Sequence, residues 1–93
     1  LYNVNGSGNI GIGCLALTSA TTVNNNIGIG DCAGCSVVTG SNNTIIGKLA
    51  GTNSLANTVL IGAGATERIK VDSTGLYINL DTNSCLVFFI FLH

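Results

Sequence analysis

This sequence predicts an all-β chain of stacked short-strand coils, and three observations carry that prediction. One phrase is repeated four times: Asn9-Ile10-Gly11-Ile12-Gly13, Asn26-Ile27-Gly28-Ile29-Gly30, Asn43-Thr44-Ile45-Ile46-Gly47 and Asn57-Thr58-Val59-Leu60-Ile61-Gly62. Measured between the closing Ile-Gly pairs, the spacings are 17, 17 and 15 residues, and an alanine (Ala16, Ala33, Ala50, Ala65) stands three residues after each closing glycine. Within each phrase β-branched residues alternate with a period of two, the pattern of a short strand with one buried face. Between phrases, segments 18–25, 36–42 and 52–56 are rich in Ser, Thr, Asn and Gly. Such residues favour turns because their short side chains bond the nearby backbone or tolerate positive φ.

Composition narrows the class further. Ninety-three residues suit one domain, and a domain this small often gains stability from disulfides, metals or oligomerisation. Only 8% of residues are charged, against roughly 25% in ordinary globular domains. Gly, Asn, Thr and Ser together supply 42 of the 93, and Pro, Met and Trp are absent. With net charge −1 and only Lys48, Arg68 and Lys70 as fixed cations, the chain lacks the basic stripe that phosphate-backbone binding needs, so nucleic acid is not an expected partner. No charged region followed by an apolar stretch precedes the repeats, so no signal peptide is expected. The apolar run 86–92 has seven residues, far below the ~20 of a transmembrane helix, so no membrane span is expected.

Taken in order, residues 1–8 read as a lead-in and residues 9–66 as a repeat shaft of four coils, each made of strand, corner, second short strand and return. At ~3.3 Å per extended residue, such a repeat makes one coil of a β-solenoid or β-helix more naturally than a long hairpin, and stacking would place equivalent positions ~4.8 Å apart. In that stack Ile12, Ile29, Ile46 and Ile61 are expected to form an inner ladder, with Ala16, Ala33, Ala50 and Ala65 in a narrow corner. The asparagines would make a side-chain amide ladder. Gly11, Gly28, Ile45 and Leu60 occupy the intervening strand position, which reads as the less tightly packed side. Asp31 and Lys48 each follow a closing glycine and should meet as an exposed pair on adjacent coils.

Residues 67–84 read as a β-hairpin cap or junction: Glu67-Arg68-Ile69-Lys70-Val71-Asp72 and Leu76-Tyr77-Ile78-Asn79-Leu80-Asp81 alternate around Ser73-Thr74-Gly75. Gly75 suits the left-handed turn position. Ile69, Val71, Leu76, Ile78 and Leu80 would share its buried face. Residues 85–93 read as an apolar terminal strand buried along an oligomer axis. Bulky residues are few, so a slim core shared by an intertwined or parallel homotrimer is expected, which would also close exposed strand edges.

No catalytic constellation emerges, and an enzyme is not expected. His93 is the only histidine, and Asp31 stands apart from Glu67, Asp72 and Asp81. The Gly-Ile-Gly phrases lack both the third glycine of a dinucleotide fingerprint and the Lys-Ser pair of a phosphate loop. Cys14, Cys32, Cys35 and Cys85 leave three readings open: thiols packed as small apolar groups, disulfides within or between chains, and metal or redox chemistry at Cys32-Ala33-Gly34-Cys35. No second Cys-x-x-Cys completes a zinc ribbon, and no cofactor is expected.

The run Asn-Asn-Thr-Ile-Ile-Gly-Lys-Leu-Ala-Gly at 42–51, preceded by Thr-Gly-Ser, resembles the repeats of phage tail-fibre and related virion-fibre proteins. Thr-Glu-Arg-Ile-Lys-Val-Asp-Ser-Thr-Gly at 66–75 resembles the segment that follows such repeats there, and the likeness covers roughly residues 9 to 79. It implies a homotrimeric β-helical shaft with a shared core. It also implies a non-catalytic virion fibre segment, of tail or head, that contributes to host-surface attachment. The phrase is also similar to head repeats of bacterial trimeric autotransporter adhesins, whose coils are usually shorter. A bacterial cell-surface or extracellular adhesin head is therefore the alternative, with a self-assembling structural filament as another. The partners expected are further copies of the chain and a cell-surface glycan or protein receptor. The polar corners Thr21, Thr22, Asn24, Ser41 and Asn53 would supply receptor contacts.

Overall fold

The computed structural model describes residues 6–79; residues 1–5 of the lead-in, residues 80–84 and the apolar segment 85–93 lie outside them. Among the described residues the chain is all-β and holds no helix. Its strands are β1 (Ile10–Ile12), β2 (Ile27–Ile29), β3 (Thr44–Ile46), β4 (Val59–Ala63), β5 (Thr66–Asp72) and β6 (Gly75–Ile78). They form one six-stranded sheet in sequence order. β1 to β4 pair in parallel, Ile12 with Ile29, Ile29 with Ile46 and Ile46 with Ile61, whereas β5 and β6 add antiparallel. The 17, 17 and 15 spacings are thus the pairing offsets of successive strands.

Each parallel strand is short because positive-φ residues bracket it. Asn25, Asn42 and Asn57 enter β2, β3 and β4 at φ 59°, 65° and 54°, the left-handed region that asparagine tolerates better than most side chains. Gly13, Gly30 and Gly47 leave β1, β2 and β3 at φ 124°, 132° and 116°. These glycines also stack: a Cβ on Gly13 would lie 2.5 Å from the Gly30 carbonyl oxygen, and one on Gly30 2.7 Å from that of Gly47. The closing glycine recurs because the backbones leave no room for a side chain there.

The expected second short strand is replaced by turns. Leu15, Leu17, Cys32 and Gly34 have positive φ, which interrupts the pleat. Bonds to the next repeat persist nonetheless, from Leu17 N to Ala33 O at 3.0 Å and from Ser36 N to Ala50 O at 2.9 Å. The contraction to 15 residues falls here. Ser36 stands six positions after Gly30 but Gly51 only four after Gly47, and Ser36 bonds to the carbonyl just before Gly51. The longer corner is stapled by a Cys32–Cys35 disulfide.

The expected inner ladder is outside. Ile12 is 58% exposed, Ile29 and Ile46 are also exposed, and Ile61 is half-buried, whereas Ile45 at 0% and Leu60 at 5% point into the core. The intervening position is therefore the tightly packed one. Gly28 lacks a side chain because the Ala33 backbone and Leu17 fill that space: a Cβ there would lie 2.8 Å from Ala33 O and 3.0 Å from Leu17 Cγ. Leu17 also fills the space beside Gly34, where a Cβ would lie 2.7 Å from Leu17 Cδ2 and 3.3 Å from Ile45 Cδ1. Ala16 and Ala33 are buried, as expected for the corner, but Ala50 is half-buried and Ala65 exposed. Ala65 departs because β4 turns directly into antiparallel β5 and no corner follows it.

Buried amides hold the repeats in register. Asn9 Oδ1 accepts from Asn26 N at 3.0 Å while Asn9 Nδ2 donates to Val23 O at 2.8 Å. Asn26 makes the same pair with Asn43 N and Gly40 O, and Asn43 with Thr58 N and Leu55 O. Each amide holds both ends of the turn that feeds the next strand. A second, exposed amide column links Asn25, Asn42 and Asn57. The first column, through Asn9, Asn26 and Asn43, ends at Thr58, whose hydroxyl donates to Ala56 O.

In the hairpin, Gly75 takes positive φ as expected. Ile69, Val71, Leu76 and Ile78 do share one face, but Ile69 is only half-buried and the other three are exposed. No further layer of the described chain covers them, and Leu80 lies outside the described residues.

Asn43→Ala should cost ~3 kcal/mol, because it strips partners from the Thr58 N–H and the Leu55 carbonyl, whereas Asn42→Gly, which removes an exposed amide and keeps the positive φ accessible, should cost about 1 kcal/mol. Urea unfolding of the two variants measures the difference. Gly64→Ala, at φ 61° with nothing near a new Cβ, should cost about 1–2 kcal/mol. Gly30→Ala adds a backbone clash to a positive φ and should cost more, on the order of 3 kcal/mol.

Candidate interaction surface

Two surfaces of different chemistry run along the repeats. The first is the polar side carrying the residues expected to bind a receptor. Thr21, Thr22 and Asn53 are exposed there. Asn53 contributes its backbone carbonyl to the neighbouring repeat, accepting from Val38 N at 2.8 Å and Thr39 N at 3.0 Å. The 17-residue offset puts Thr21 and Thr22 level with Val38 and Thr39 on the preceding repeat, so all three repeats present this side together. Asn24 and Ser41 also take part in bonds between repeats. Asn24 N donates to Ser41 Oγ at 3.0 Å, and Ser7 N donates to Asn24 Oδ1 at 2.8 Å.

The second surface is the outer face of the sheet. Strand pairing aligns Ile12, Ile29, Ile46, Ile61, Ile69 and Ile78 in one row. A parallel row holds Ile10, Ile27, Thr44, Val59, Val71 and Leu76. Every one of the twelve is exposed or half-buried, one is polar and none is charged. The register shift between Ile61 and Gly62 preserves this: it opposes Gly62 to Glu67 and Ile61 to Ile69, so the isoleucine row continues into the hairpin. Parallel sheets are ordinarily covered on both faces, and a contiguous exposed apolar patch marks an interaction site. The row was legible as a repeated isoleucine, but its exposure was not.

No charged residue stands in either row. Lys48 Nζ and Asp31 Oδ2 are 3.4 Å apart on adjacent repeats, both side chains more than half exposed, so the expected pair forms and acts as a register mark of under about 1 kcal/mol. In the hairpin, Asp72 Oδ1 accepts from Thr74 N at 2.8 Å and from the Thr74 hydroxyl, which also meets Tyr77 OH at 2.8 Å. The Thr74 hydroxyl and amide, with help from the Lys70 charge, hold the Asp72 carboxyl below its ordinary 3.8. Among the described residues no three His, Cys, Asp or Glu side chains are grouped to hold a metal ion. His93 and Cys85 lie outside them.

Comparison with known protein families, with characterised proteins and with solved structures gave no match.

Because its folded pKa is lowered, Asp72 stabilises the hairpin fully above the ordinary 3.8 and ceases to do so as pH falls through the lower folded value. Amide NMR shifts of Thr74 and Gly75 followed from pH 6 to about pH 2 should report that loss. Asp72→Asn should flatten the titration.

Proposed function

We propose that this chain is a non-catalytic fibre segment of a virion, a β-solenoid shaft assembled as a parallel homotrimer that contributes to host-surface attachment. The observation that carries the reading is the uncharged two-row face shared by all six strands. Two rows span only ~7 Å across the strands' length while six strands extend ~24 Å. A stripe so narrow is poorly suited to a flat two-sheet sandwich. Three slim copies around an axis let each stripe touch both neighbours, and further copies of the same chain match its repeat by construction. The resemblance of residues 42–51 and 66–75 to virion-fibre repeats points the same way. Attachment would use the polar corners, where Thr21, Thr22 and Asn53 remain exposed.

Native mass measurement of the full chain should give three times the chain mass, and a monomeric mass overturns the trimer. Ile29→Asp with Ile46→Asp places carboxylates in the stripe without touching Ile45 or Leu60, and should give monomers that retain β-sheet circular dichroism. A triple Thr21→Ala, Thr22→Ala, Asn53→Ala variant should keep the trimer mass and lose binding to an array of bacterial surface polysaccharides. Unchanged binding would remove those three residues from recognition.

A further inference from the structure

Three cysteines stand on adjacent corners where the first two repeats join. Cys14 follows Gly13 directly, is exposed, and is unbridged among the described residues. Cys32 and Cys35 form a disulfide with Cα atoms 4.9 Å apart. Cys32 N donates to Cys14 O at 2.7 Å. Adding to that bond the ~2.4 Å from Cα to its carbonyl oxygen and the ~1.5 Å from N to Cα bounds the Cys14–Cys32 Cα separation at roughly 6.6 Å. Disulfides span ~4.4–6.8 Å between Cα atoms, so the Cys14–Cys32 Cα separation satisfies that requirement, and turning the two Cβ atoms toward each other is left to movement of the corner. Cys35 is one turn further on, bonded through its N–H to Cys32 O at 3.1 Å.

We propose that Cys14, Cys32 and Cys35 form a thiol–disulfide exchange unit that can move the staple from within one corner to between two repeats. The Cys14 thiolate attacks Cys32 Sγ, the Cys14–Cys32 bond forms and the Cys32–Cys35 bond breaks. The electron pair leaves on Cys35 Sγ, which takes up a proton. Each state has one disulfide and one thiol, so no external oxidant or reductant is consumed. Exchange runs through the thiolate on accessible sulfur, and Cys14 is exposed while both bridged cysteines are only half-buried.

The move has a structural consequence. Buried apolar residues fall into two clusters, Leu17, Ala20 and Val23 in the first repeat and Ala33, Val37, Ile45 and Leu60 in the later ones. A Cys32–Cys35 bond closes a tight corner inside one repeat and adds no covalent tie between the first repeat and the second. A Cys14–Cys32 bond closes a loop longer than a full repeat and ties the two clusters together, where cross-linking constrains the unfolded chain more strongly.

The test uses the full chain with Cys85→Ser, equilibrated in glutathione buffer, quenched with an alkylating agent and mapped by peptide mass spectrometry. Both the Cys32–Cys35 and the Cys14–Cys32 linkages should appear at monomer mass on a non-reducing gel. In the further variant Cys35→Ser the Cys14–Cys32 bond should form alone, and amides of β1 should exchange with deuterium about tenfold more slowly, or slower still, than in Cys14→Ser with Cys35→Ser. Recovery of only Cys32–Cys35, with Cys14 fully alkylated, overturns the proposal. A Cys14 bridge found only between chains overturns it as well. Should Cys35→Ser fail to fold, the linkage map of the Cys85→Ser chain decides alone.

Discussion

The hydrogen bonds of Asn9, Asn26 and Asn43 are the constraint on which the rest of the parallel array depends. A short strand bounded by left-handed residues leaves backbone groups at its entry turn that no neighbouring strand can satisfy, and buried groups of that kind are expensive. Each asparagine answers both needs of the next turn, accepting one N–H and donating to the carbonyl three residues earlier. Asn26 and Asn43 are themselves buried, so these amides work away from water, where competition for their partners is least. Among the described residues no buried side-chain nitrogen or oxygen lacks a partner.

With register held by polar atoms, the apolar residues need only fill space. They do so sparingly: Leu17, Ile45, Leu60, Val23 and Val37 are the large buried apolar side chains, and glycines beside Leu17, Ile45 and Val37 make room. The consequence is a thin interior with its remaining branched residues outside. That inversion is what makes the sheet's outer face apolar and gives the proposed assembly its contact stripe. The hairpin belongs to the same scheme, for β5 covers the exposed edge of β4 while continuing both rows of the stripe.

Much of this was legible in the amino-acid order. The phrase spacing is the strand register, the Asp31–Lys48 pair stands where the offset puts it, and the alternation after Thr66 is the hairpin. Which face is inside was not legible, for a physical reason. Alternation separates two faces but names neither when both are apolar, as in parallel sheets. The constant isoleucine looked like a core, yet the inner position varies among Gly11, Gly28, Ile45 and Leu60 because its volume is set jointly with a residue on the far wall, such as Leu17. That partner is not at a fixed strand offset, so no period reveals it. The bonds of Asn24 and Ser41 between repeats were not legible either, because a backbone N–H acceptor and a receptor contact call for the same polar side chains.

The glycine column from Gly13 through Gly30 to Gly47 bears on how such a chain can change in length. Backbone lies so close to backbone along that line that inserting one or two residues inside a strand would displace a side chain into a neighbouring carbonyl. The corners absorb small changes, as the two-residue difference between the Cys32–Cys35 corner and its shorter successor demonstrates. Extending the array itself requires adding the Asn, the strand and the Gly together. Growth is therefore quantised: the duplication of a whole repeat is structurally mild, whereas a single-residue insertion between an asparagine and its closing glycine is severe.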